Sequence, residues 1–371
     1  MPLVDHHVHG ALAGEPRDAA DFARHIAETD RAPAPGASWF DTQLGFAIRR
    51  WCAPLLGLPR HASPEDYLAR RHDLGAVEVT RRLLRATGID TYLVETGYRG
   101  GELLDPQEMA AASGARVAEV VRLETVAESV AGSVASASEF PAAFTEALHQ
   151  RTGAAVGLKT IVAYRHGFDF DPTRPSTGEV TAAAGRWLAE IASTGQVRVS
   201  DPVLLRFLLW TGVDRGLPLQ VHVGFGDPDL DLHRADPLLL TEFIRALEPR
   251  GVPVLLLHSY PFHRQAGYLA RVFPHVYFDI GLGINYLGVR AEALVRESLE
   301  LAPFGKQLFS TDAWGPAELH YLGSALWREG MTRVLRGWVD EGAWSLGDAL
   351  RVVQMIGAGN ARRVYSLGRA A

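Results

Sequence analysis

The sequence of 371 residues predicts an α/β fold, a distorted (β/α)8 TIM barrel, on the basis of two observations. Short apolar or β-branched segments recur along the chain, and stretches with good helix-start residues separate them. Strands that alternate with helices form parallel sheets with right-handed crossovers, and eight such units close into a barrel. The eight predicted strands are residues 3–4, 91–94, 120–123, 156–162, 219–221, 252–257, 276–278 and 307–309.

Four helix starts between these strands are marked by a proline that follows a capping side chain. They are Ser63-Pro64, Asp105-Pro106, Asp201-Pro202 and Asp236-Pro237. The side chain before the proline can accept a bond from a free N–H group of the first turn, and proline lacks an N–H that would stay unpaired there. We therefore expect a helix to begin at each of these four positions.

Two stretches are longer than a minimal strand–helix unit requires. Residues 11–88 separate the first two strands and read as several helices with Pro- and Gly-rich joints, which predicts a helical insertion over the top of the barrel. Residues 165–216 form a second excursion after the fourth strand. Both could shape a substrate pocket or simply cover the rim. Because strands of one barrel flank both stretches, we expect residues 1–371 to form one domain.

The composition excludes several classes of function. The net charge is −6 without a basic patch, which argues against nucleic acid or an anionic membrane as partner and favours a small-molecule substrate. Cys52 is the only cysteine, so an internal disulfide and a thiolate metal site are both excluded. No apolar run has the length of a membrane span, and we expect a cytoplasmic protein. The sequence leaves a homo-oligomer open.

The most informative motif is Asp5-His6-His7-Val8-His9-Gly10 at the end of the first predicted strand. Side chains alternate along a strand, so His7 and His9 share one face and His6 points away as a structural residue. Other ionisable residues also end predicted strands. Active sites of these barrels lie at the C-terminal strand ends, so we expect one cavity to collect these residues: Lys159 after strand four, His222 after strand five, His258 after strand six and Asp312 after strand eight.

Imidazoles and a carboxylate are the ligands that a catalytic zinc site uses. Zn2+ with an open position lowers the pKa of bound water to about 7, and without thiolates Mn2+ or Fe2+ are also admissible. We expect Asp312 to bind the metal and to accept a proton from the water. His258 either binds a second metal or, with one metal, polarises the substrate carbonyl or holds the water.

This set of strand ends resembles the amidohydrolase superfamily, which uses His-x-His after strand one, often a lysine after strand four, histidines after strands five and six, and aspartate after strand eight. Residues 122–125, 158–165 and 258–264 more narrowly resemble the amidohydrolase-type domain that some fungal and plant proteins join to a glutamine-synthetase-like domain. Residues 359–365 look like the terminal helix of the decarboxylase-and-hydrolase branch.

The resemblance implies hydrolysis of a carbon–nitrogen bond, and a γ-glutamyl amide is one reasonable substrate. Two alternatives stay open at this point. Related barrels carry out non-oxidative decarboxylation with a similar metal shell, and a barrel that has lost turnover could serve as a sensor or as a scaffold partner of a synthetase. The complete set of ligand residues favours an enzyme over the last alternative.

Five further predictions concern single residues around the metal. Lys159 could be carboxylated by CO2 and join two metals, or could bind a substrate carboxylate as an ammonium beside a single metal. Arg165 and Arg264 could bind a substrate carboxylate through two hydrogen bonds, although a surface salt bridge is the favoured alternative for Arg264. Glu95 and Glu124 could contact a substrate amine, although a supporting role behind the ligands or in rim salt bridges is an equal alternative.

Overall fold

The computed structural model describes residues 1–29 and 31–368, and within them seven parallel strands form one sheet. Each strand pairs with the next one along the chain, in the order β1 to β7. Every strand overlaps a segment that the sequence predicts, so the α/β barrel prediction is confirmed. The strands are β1 Leu3–Val8, β2 Ile89–Glu95, β3 Arg116–Arg122, β4 Gly157–Thr160, β5 Leu219–His222, β6 Val254–Leu257 and β7 Val276–Phe278.

The predicted eighth strand is not a regular strand, which corrects the sequence analysis. Residues 307–313 nevertheless run between β7 and β1, since Leu308 N donates to Phe278 O at 3.0 Å and His6 N donates to Phe309 O at 3.2 Å. Asp312 N then donates to His7 O at 3.1 Å. Asp312 has a φ of 48°, which takes the backbone out of the extended conformation. This irregular segment, which we call the closing segment, joins the two edges of the sheet.

The insertion after β1 is helical, as predicted. It also contains a π-helical turn at Ile48–Cys52 and a 3-10 turn at Ala53–Leu56. One of its helices is fastened to the barrel by buried charge, because Arg71 Nε donates to Glu318 Oε1 at 2.9 Å and both side chains are buried. The insertion helices are α1 Ala19–His25, α2 Gln43–Ala47, α3 Pro64–Leu74 and α4 Ala76–Ala86.

The remaining helices lie between the later strands and after the closing segment. None of the described helices is long and apolar enough to cross a membrane. The later helices are α5 Pro106–Ser113, α6 Leu123–Ala131, α7 Phe140–Arg151, α8 Val162–Arg165, α9 Thr177–Thr194, α10 Pro202–Asp214, α11 Thr241–Leu247, α12 His263–Val272, α13 Gly281–Leu287, α14 Ala291–Ser298, α15 Ala317–Asp340, α16 Leu346–Gln354 and α17 Asn360–Val364.

The four predicted helix starts are confirmed by their capping bonds. The side chains of Ser63, Asp105 and Asp201 each accept a bond from an N–H group of the first turn, at the starts of α3, α5 and α10. Asp236 does the same, but it begins a 3-10 helix, Pro237–Leu240, which leads into α11. These capping bonds fix the residue at which each helix begins.

Apolar side chains fill the layer between sheet and helices, and a smaller cluster lies on the other face of the sheet. That smaller cluster combines strand residues such as Val4, Leu93 and Leu255 with Ala361 and Tyr365 from the C-terminal segment. The Tyr365 hydroxyl lies 3.0 Å from His6 Nδ1, below the strand ends that carry the polar residues. The C-terminal segment thus supports the floor of the site.

Candidate metal centre

Three predicted ligands converge where β1 meets the closing segment. One ligand atom from each of His7, His9 and Asp312 lies within 4.8 Å of the other two, and all three side chains are buried. The Asp312 Oδ1 atom lies 2.9 Å from His7 Nε2 and 3.8 Å from His9 Nε2. The structure therefore brings together residues that stand about 300 positions apart in the sequence.

The hydrogen-bond network assigns the proton of His7 to Nδ1. Gln220 Nε2 donates to His6 O at 2.7 Å, which turns the Gln220 Oε1 atom toward His7 Nδ1 at 2.9 Å. An amide oxygen only accepts, so His7 Nδ1 must donate. The His7 Nε2 atom consequently carries a lone pair and faces the Asp312 carboxylate.

His9 is oriented in the same way by β2. The His9 Nδ1 atom lies 3.2 Å from the carbonyl oxygen of Glu95 and 3.4 Å from its Oε2 atom, and both are acceptors. His9 Nε2 therefore also presents a lone pair to Asp312 Oδ1. Electron-rich atoms this close repel one another unless a cation lies between them, and ligands at about 2.0–2.2 Å from one zinc ion are spaced in this range. These residues fit a divalent cation.

Two more histidines extend the group toward β5 and β6. The His258 Nε2 atom lies 3.5 Å from Asp312 Oδ2, and the rings of His222 and His258 stand 4.3 Å apart between centroids. The Nε2 atoms of His222 and His258 are buried, and neither has a hydrogen-bond partner among the described residues. Buried polar atoms without partners are costly, and a bound cation or its water would satisfy them.

The backbone is strained at two of these positions. His258 and Asp312 have φ values of 42° and 48°, in the left-handed region that non-glycine residues seldom adopt. Two buried carboxylates hold these turns, since Asp279 Oδ1 accepts from His258 N at 2.8 Å and Asp5 Oδ1 accepts from Thr311 N at 3.0 Å. Such strain is typical of functional sites, where the surrounding structure maintains it.

Lys159 lines the same site from β4, as predicted. Its Nζ atom lies 3.1 Å from His7 Nε2, and its side chain is 2% exposed. Burial lowers the pKa of Lys159 to about 8, although the charge of Asp312 acts in the opposite direction. A substantial fraction of the amine is therefore neutral near pH 8, and neutral amine is the form that reacts with CO2.

A cavity of about 240 Å³, which we call the inner cavity, opens above the metal-ligand group. Lys159, His9, His222 and Asp312 line it, together with cationic and aromatic side chains. Arg165 is one of these, with an ion pair of 3.0 Å to Glu128 and a buried Nε atom that has no partner among the described residues. The other charged or aromatic lining residues are Glu28, Tyr98, Arg122, Tyr164, Arg198, Asp227, Asp229 and Trp314.

Glu95 and Glu124 are buried next to the ligands and do not line the inner cavity. Glu95 pairs with Arg122, and although burial opposes its ionisation, the charges of Arg122, His9 and Lys159 lower its pKa to about 2. Glu124 accepts from Thr160 Oγ1 at 2.6 Å and from Ile161 N at 3.0 Å, where β4 ends. Both carboxylates are placed to position ligand-bearing strand ends, the alternative that the sequence left open.

Arg264, like Glu95 and Glu124, does not line the inner cavity, which corrects its predicted substrate contact and favours the alternative of a surface salt bridge. Its side chain on α12 is 58% exposed and pairs with Glu300 at 3.0 Å and with Glu297 at 3.5 Å. Helix α12 begins five residues after His258, and its first turn already points Arg264 toward α14 and solvent. The geometry supports a surface ion pair at this position.

Sequence reasoning missed three residues that the fold brings to the site. Gln220, two positions before His222 on β5, is a buried polar residue on the same face, and that signal could have identified it. No pattern in the neighbouring sequence marks Trp314 or Glu28 as residues of the site. Glu28 Oε2 accepts from Trp314 Nε1 at 3.2 Å and from Tyr286 at 3.1 Å, while burial, with the Asp312 charge, raises the pKa of Glu28 to about 7.

We expect the metal-free protein to lose stability as the pH falls from 6.5 to 5. Histidines with lowered pKa values bind fewer protons in the folded protein than in the unfolded chain, so each fully buried one lowers the free energy of unfolding by at most about 1.4 kcal/mol per pH unit in this interval. Three carboxyls with raised pKa values act in the opposite direction. The histidines are His7, with a pKa of about 3, His320, with a pKa of about 4, and His9, His166, His222, His258 and His275; the carboxyls are Asp5, Glu28 and Glu124.

Urea unfolding of chelator-treated protein at a series of pH values measures this dependence. The free energy of unfolding should decline most steeply below pH 6.5, and less from pH 8 to 7, where the lowered pKa values of Lys159 and Lys306 contribute. A free energy that rises on acidification would show that the carboxyls dominate.

Fold and site together define the class of protein. The parallel barrel carries a His-x-His pair at the end of its first strand, further histidines at the ends of its fifth and sixth strands, and a buried aspartate within its closing segment. This arrangement is typical of a metal-dependent hydrolase. Comparison with known sequences agrees, because the profile of the amidohydrolase family matches residues 54–367. The chain belongs to the amidohydrolase family, and the resemblance noted from its sequence is confirmed.

Two relatives are similar over nearly the whole chain. The protein fluG of Emericella nidulans is 27% identical over 407 aligned residues, which cover 99% of this chain and 46% of fluG. The chain thus spans about half the length of that relative. A crystal structure from Lactobacillus casei, of a protein assigned as a metal-dependent hydrolase, has a TM-score of 0.86 and 27% identity, with 98% of this chain and 95% of that chain covered.

The fold extends to enzymes of another activity. A uronate isomerase from Bacillus halodurans has a TM-score of 0.65 at 14% identity, with 99% of this chain and 94% of that chain covered. A likeness at this identity concerns the fold alone. The substrate of this protein must therefore be inferred from its own site.

Proposed function

We propose that this protein is a metal-dependent amidohydrolase that cleaves the C–N bond of a small carboxylate-bearing amide, such as a γ-glutamyl amide. One water is consumed, a C–O bond replaces the C–N bond, and the products are a carboxylic acid and an amine. The observation that carries the proposal is the pair of His7 and His9 lone pairs directed at Asp312, beneath a cavity lined by arginines.

The metal would be held by His7, His9 and Asp312, with His222 and His258 completing its surroundings. Zinc is the proposed metal, and Mn2+ or Fe2+ suit the same nitrogen and oxygen ligands. A divalent cation held there would supply Lewis-acid chemistry, polarising a water molecule and a substrate carbonyl. Gln220 and the Glu95 carbonyl keep the imidazoles in the ligating tautomer.

Protein groups carry the proton and bind the substrate. Asp312 accepts a proton from the attacking water and returns it to the leaving nitrogen. The unpartnered Nε atom of Arg165 is available to a substrate carboxylate, and Arg122 and Arg198 place further positive charge on the same cavity. Arg122 and Arg198 are paired with Glu95 and Asp229, so the Arg165 Nε atom is the donor that favours an anionic acyl part.

A product assay tests the proposal and separates it from the two alternatives. Protein loaded with Zn2+ or Mn2+ is incubated with amides and with carboxylates, and the release of amine and of CO2 is followed. We expect amine release without CO2. Release of CO2 would establish decarboxylation, and ligand binding without any turnover would establish a sensor or scaffold.

Arg165→Ala should raise KM at least tenfold without changing metal content. A hydrogen bond to a charged group contributes roughly 1.5–3 kcal/mol, which corresponds to about one to two orders of magnitude. Steady-state kinetics and metal analysis measure the two effects. Arg264→Ala is the matched control, because it removes an exposed arginine of an ion pair outside the cavity. An unchanged KM for Arg165→Ala would leave Arg165 as a structural partner of Glu128.

Lys159→Ala should lower kcat/KM at least tenfold, because Lys159 contacts His7 in the floor of the cavity. Metal content and intact mass decide between its two proposed roles. Two metal equivalents and a mass increase of one CO2 in the wild type, lost together in the variant, establish a bridging carbamate. One equivalent at full activity with an unmodified lysine establishes the substrate-binding ammonium. Unchanged activity of the variant would contradict both roles.

A further inference from the structure

A second cavity of about 680 Å³, which we call the outer cavity, adjoins the inner one. It is bounded by residues 12–17 after β1, by Arg24 and His25 at the end of α1, and by Arg99 and Glu102 after β2. Four residues line both cavities, namely Glu28, Tyr98, Asp227 and Trp314. We call these four residues the neck.

The neck lies directly beside the metal-ligand group. Trp314 follows Asp312 by two residues, and the Tyr98 ring stands 5.3 Å from the His9 ring. When the scissile bond of a substrate lies at Asp312, one part of the substrate therefore lies in the inner cavity and the other part lies at the neck. The arginines Arg122, Arg165 and Arg198 line the inner cavity and not the outer one.

This arrangement gives the substrate a direction. The buried Nε atom of Arg165 in the inner cavity has no partner among the described residues and is available to the acyl carboxylate. The arginines of the outer cavity are paired, Arg17 and Arg24 with Asp21 and Arg99 with Glu102. The inner cavity alone is smaller than ordinary ligand sites of roughly 300–1,000 Å³. A substrate with more than a compact acyl part must therefore extend through the neck.

Aromatic side chains form the wall of the outer cavity next to the neck. The Trp314 ring stands 5.6 Å from the His25 ring and 5.4 Å from the Tyr98 ring. The Arg99 guanidinium lies over Trp314 at 5.1 Å from the ring centroid. Rings and guanidinium planes attract flat π-systems through stacking and edge contacts.

We propose that the outer cavity binds the amine part of the substrate, and that this part is a planar aromatic amine. The inference rests on the hydrolytic function proposed above and names the leaving group for it. The acyl carboxylate then binds at Arg165, the scissile bond lies at Asp312, and the aromatic amine contacts the wall of His25, Tyr98 and Trp314.

Two glycines of the outer cavity allow the proposal to be tested without altering the neck. A Cβ atom at Gly14 or at Gly101 would meet no atom within 4 Å, and neither residue needs a positive φ. Gly14→Phe and Gly101→Phe should therefore fold and should partly fill the outer cavity. Gly132→Phe is the matched control, because Gly132 has the same open surroundings and lies at the end of α6, outside both cavities.

The experiment compares the γ-methylamide and the γ-p-nitroanilide of glutamate as substrates of the metal-loaded proteins. Each of the two cavity variants should lower the ratio of kcat/KM for the anilide to that for the methylamide at least tenfold. Gly132→Phe should leave this ratio within twofold of the wild-type value. Equilibrium dialysis with p-nitroaniline gives a readout without turnover, and both cavity variants should weaken its binding at least fivefold.

The outcomes distinguish failure of the amine-site inference from failure of the proposed hydrolytic function. If both cavity variants leave the ratio and the binding of p-nitroaniline unchanged, or slow both substrates equally, the outer cavity is not the amine site, while the hydrolytic function stands. If the wild type cleaves neither amide, the proposed function fails for this acyl part and the inference fails with it.

Discussion

Asp312→Asn should leave the fold intact and lower kcat by about 10²–10⁴-fold, the usual range for loss of a general base. The amide side chain has the same size as the carboxylate, so it can occupy the space between His7 and His258. It cannot accept the proton of the attacking water. Initial rates at saturating substrate, with the metal content of each preparation determined in parallel, measure the effect.

The metal content of Asp312→Asn decides whether a loss of activity reflects proton transfer or loss of the metal. If Asp312→Asn binds metal as the wild type does and is inactive, Asp312 acts in proton transfer as well as in ligation. Asp340→Asn is a suitable control, because it makes the same change at an exposed aspartate at the end of α15, outside both cavities. Near wild-type activity with full metal content would show that another group accepts the proton.

Arg71→Met should destabilise the protein by about 3–5 kcal/mol, the usual cost of removing one partner from a buried ion pair. Arg71 is 2% exposed and joins α3 of the insertion to Glu318 at the start of α15, which is completely buried. Two side chains of the described residues donate to Glu318. Without the Arg71 guanidinium, only the bond from the Tyr67 hydroxyl, at 2.8 Å, is left. Urea unfolding at pH 7 measures the loss.

The exposed pair Arg81–Glu78 on α4 provides the contrast. Both side chains are substantially exposed, so Arg81→Met should cost no more than about 1 kcal/mol. The double variant Arg71→Met with Glu318→Leu should recover much of the stability, because it removes the uncompensated charge. Equal losses for Arg71→Met and Arg81→Met would show that the buried pair does not anchor the insertion.

The candidate ligand residues could be picked out from the sequence because each one follows an apolar strand segment. In a parallel barrel all such ends lie on one face, so His7, Lys159, His222 and Asp312 meet although they are far apart in the chain. The same reasoning placed Arg264 at the site, because it follows β6 closely. It was wrong there because α12 begins before Arg264 and its helical turn carries the side chain outward to Glu300.

The supporting residues could not be predicted from local patterns. Glu28 comes from the insertion, and nothing near it in the sequence indicates that it meets Trp314 from the closing segment. The eighth strand likewise looks regular in sequence. In the fold, two buried carboxylates from distant parts of the chain contact it, since Asp5 Oδ1 accepts from Thr311 N at 3.0 Å and Asp279 Oδ1 accepts from Ser310 Oγ at 2.6 Å, and Asp312 leaves the extended conformation.

The sequence by itself determined the barrel class, the helix starts and the candidate metal ligands, because periodicity, capping and ligand chemistry are local properties. Only the tertiary structure decided which imidazole nitrogen carries a proton, which carboxylates stand behind the ligands, and how the insertion and the loop after β2 divide the substrate space into two cavities. These features depend on contacts between residues such as His7 and Gln220, 213 positions apart, whose distance is set by packing and not by any pattern along the chain.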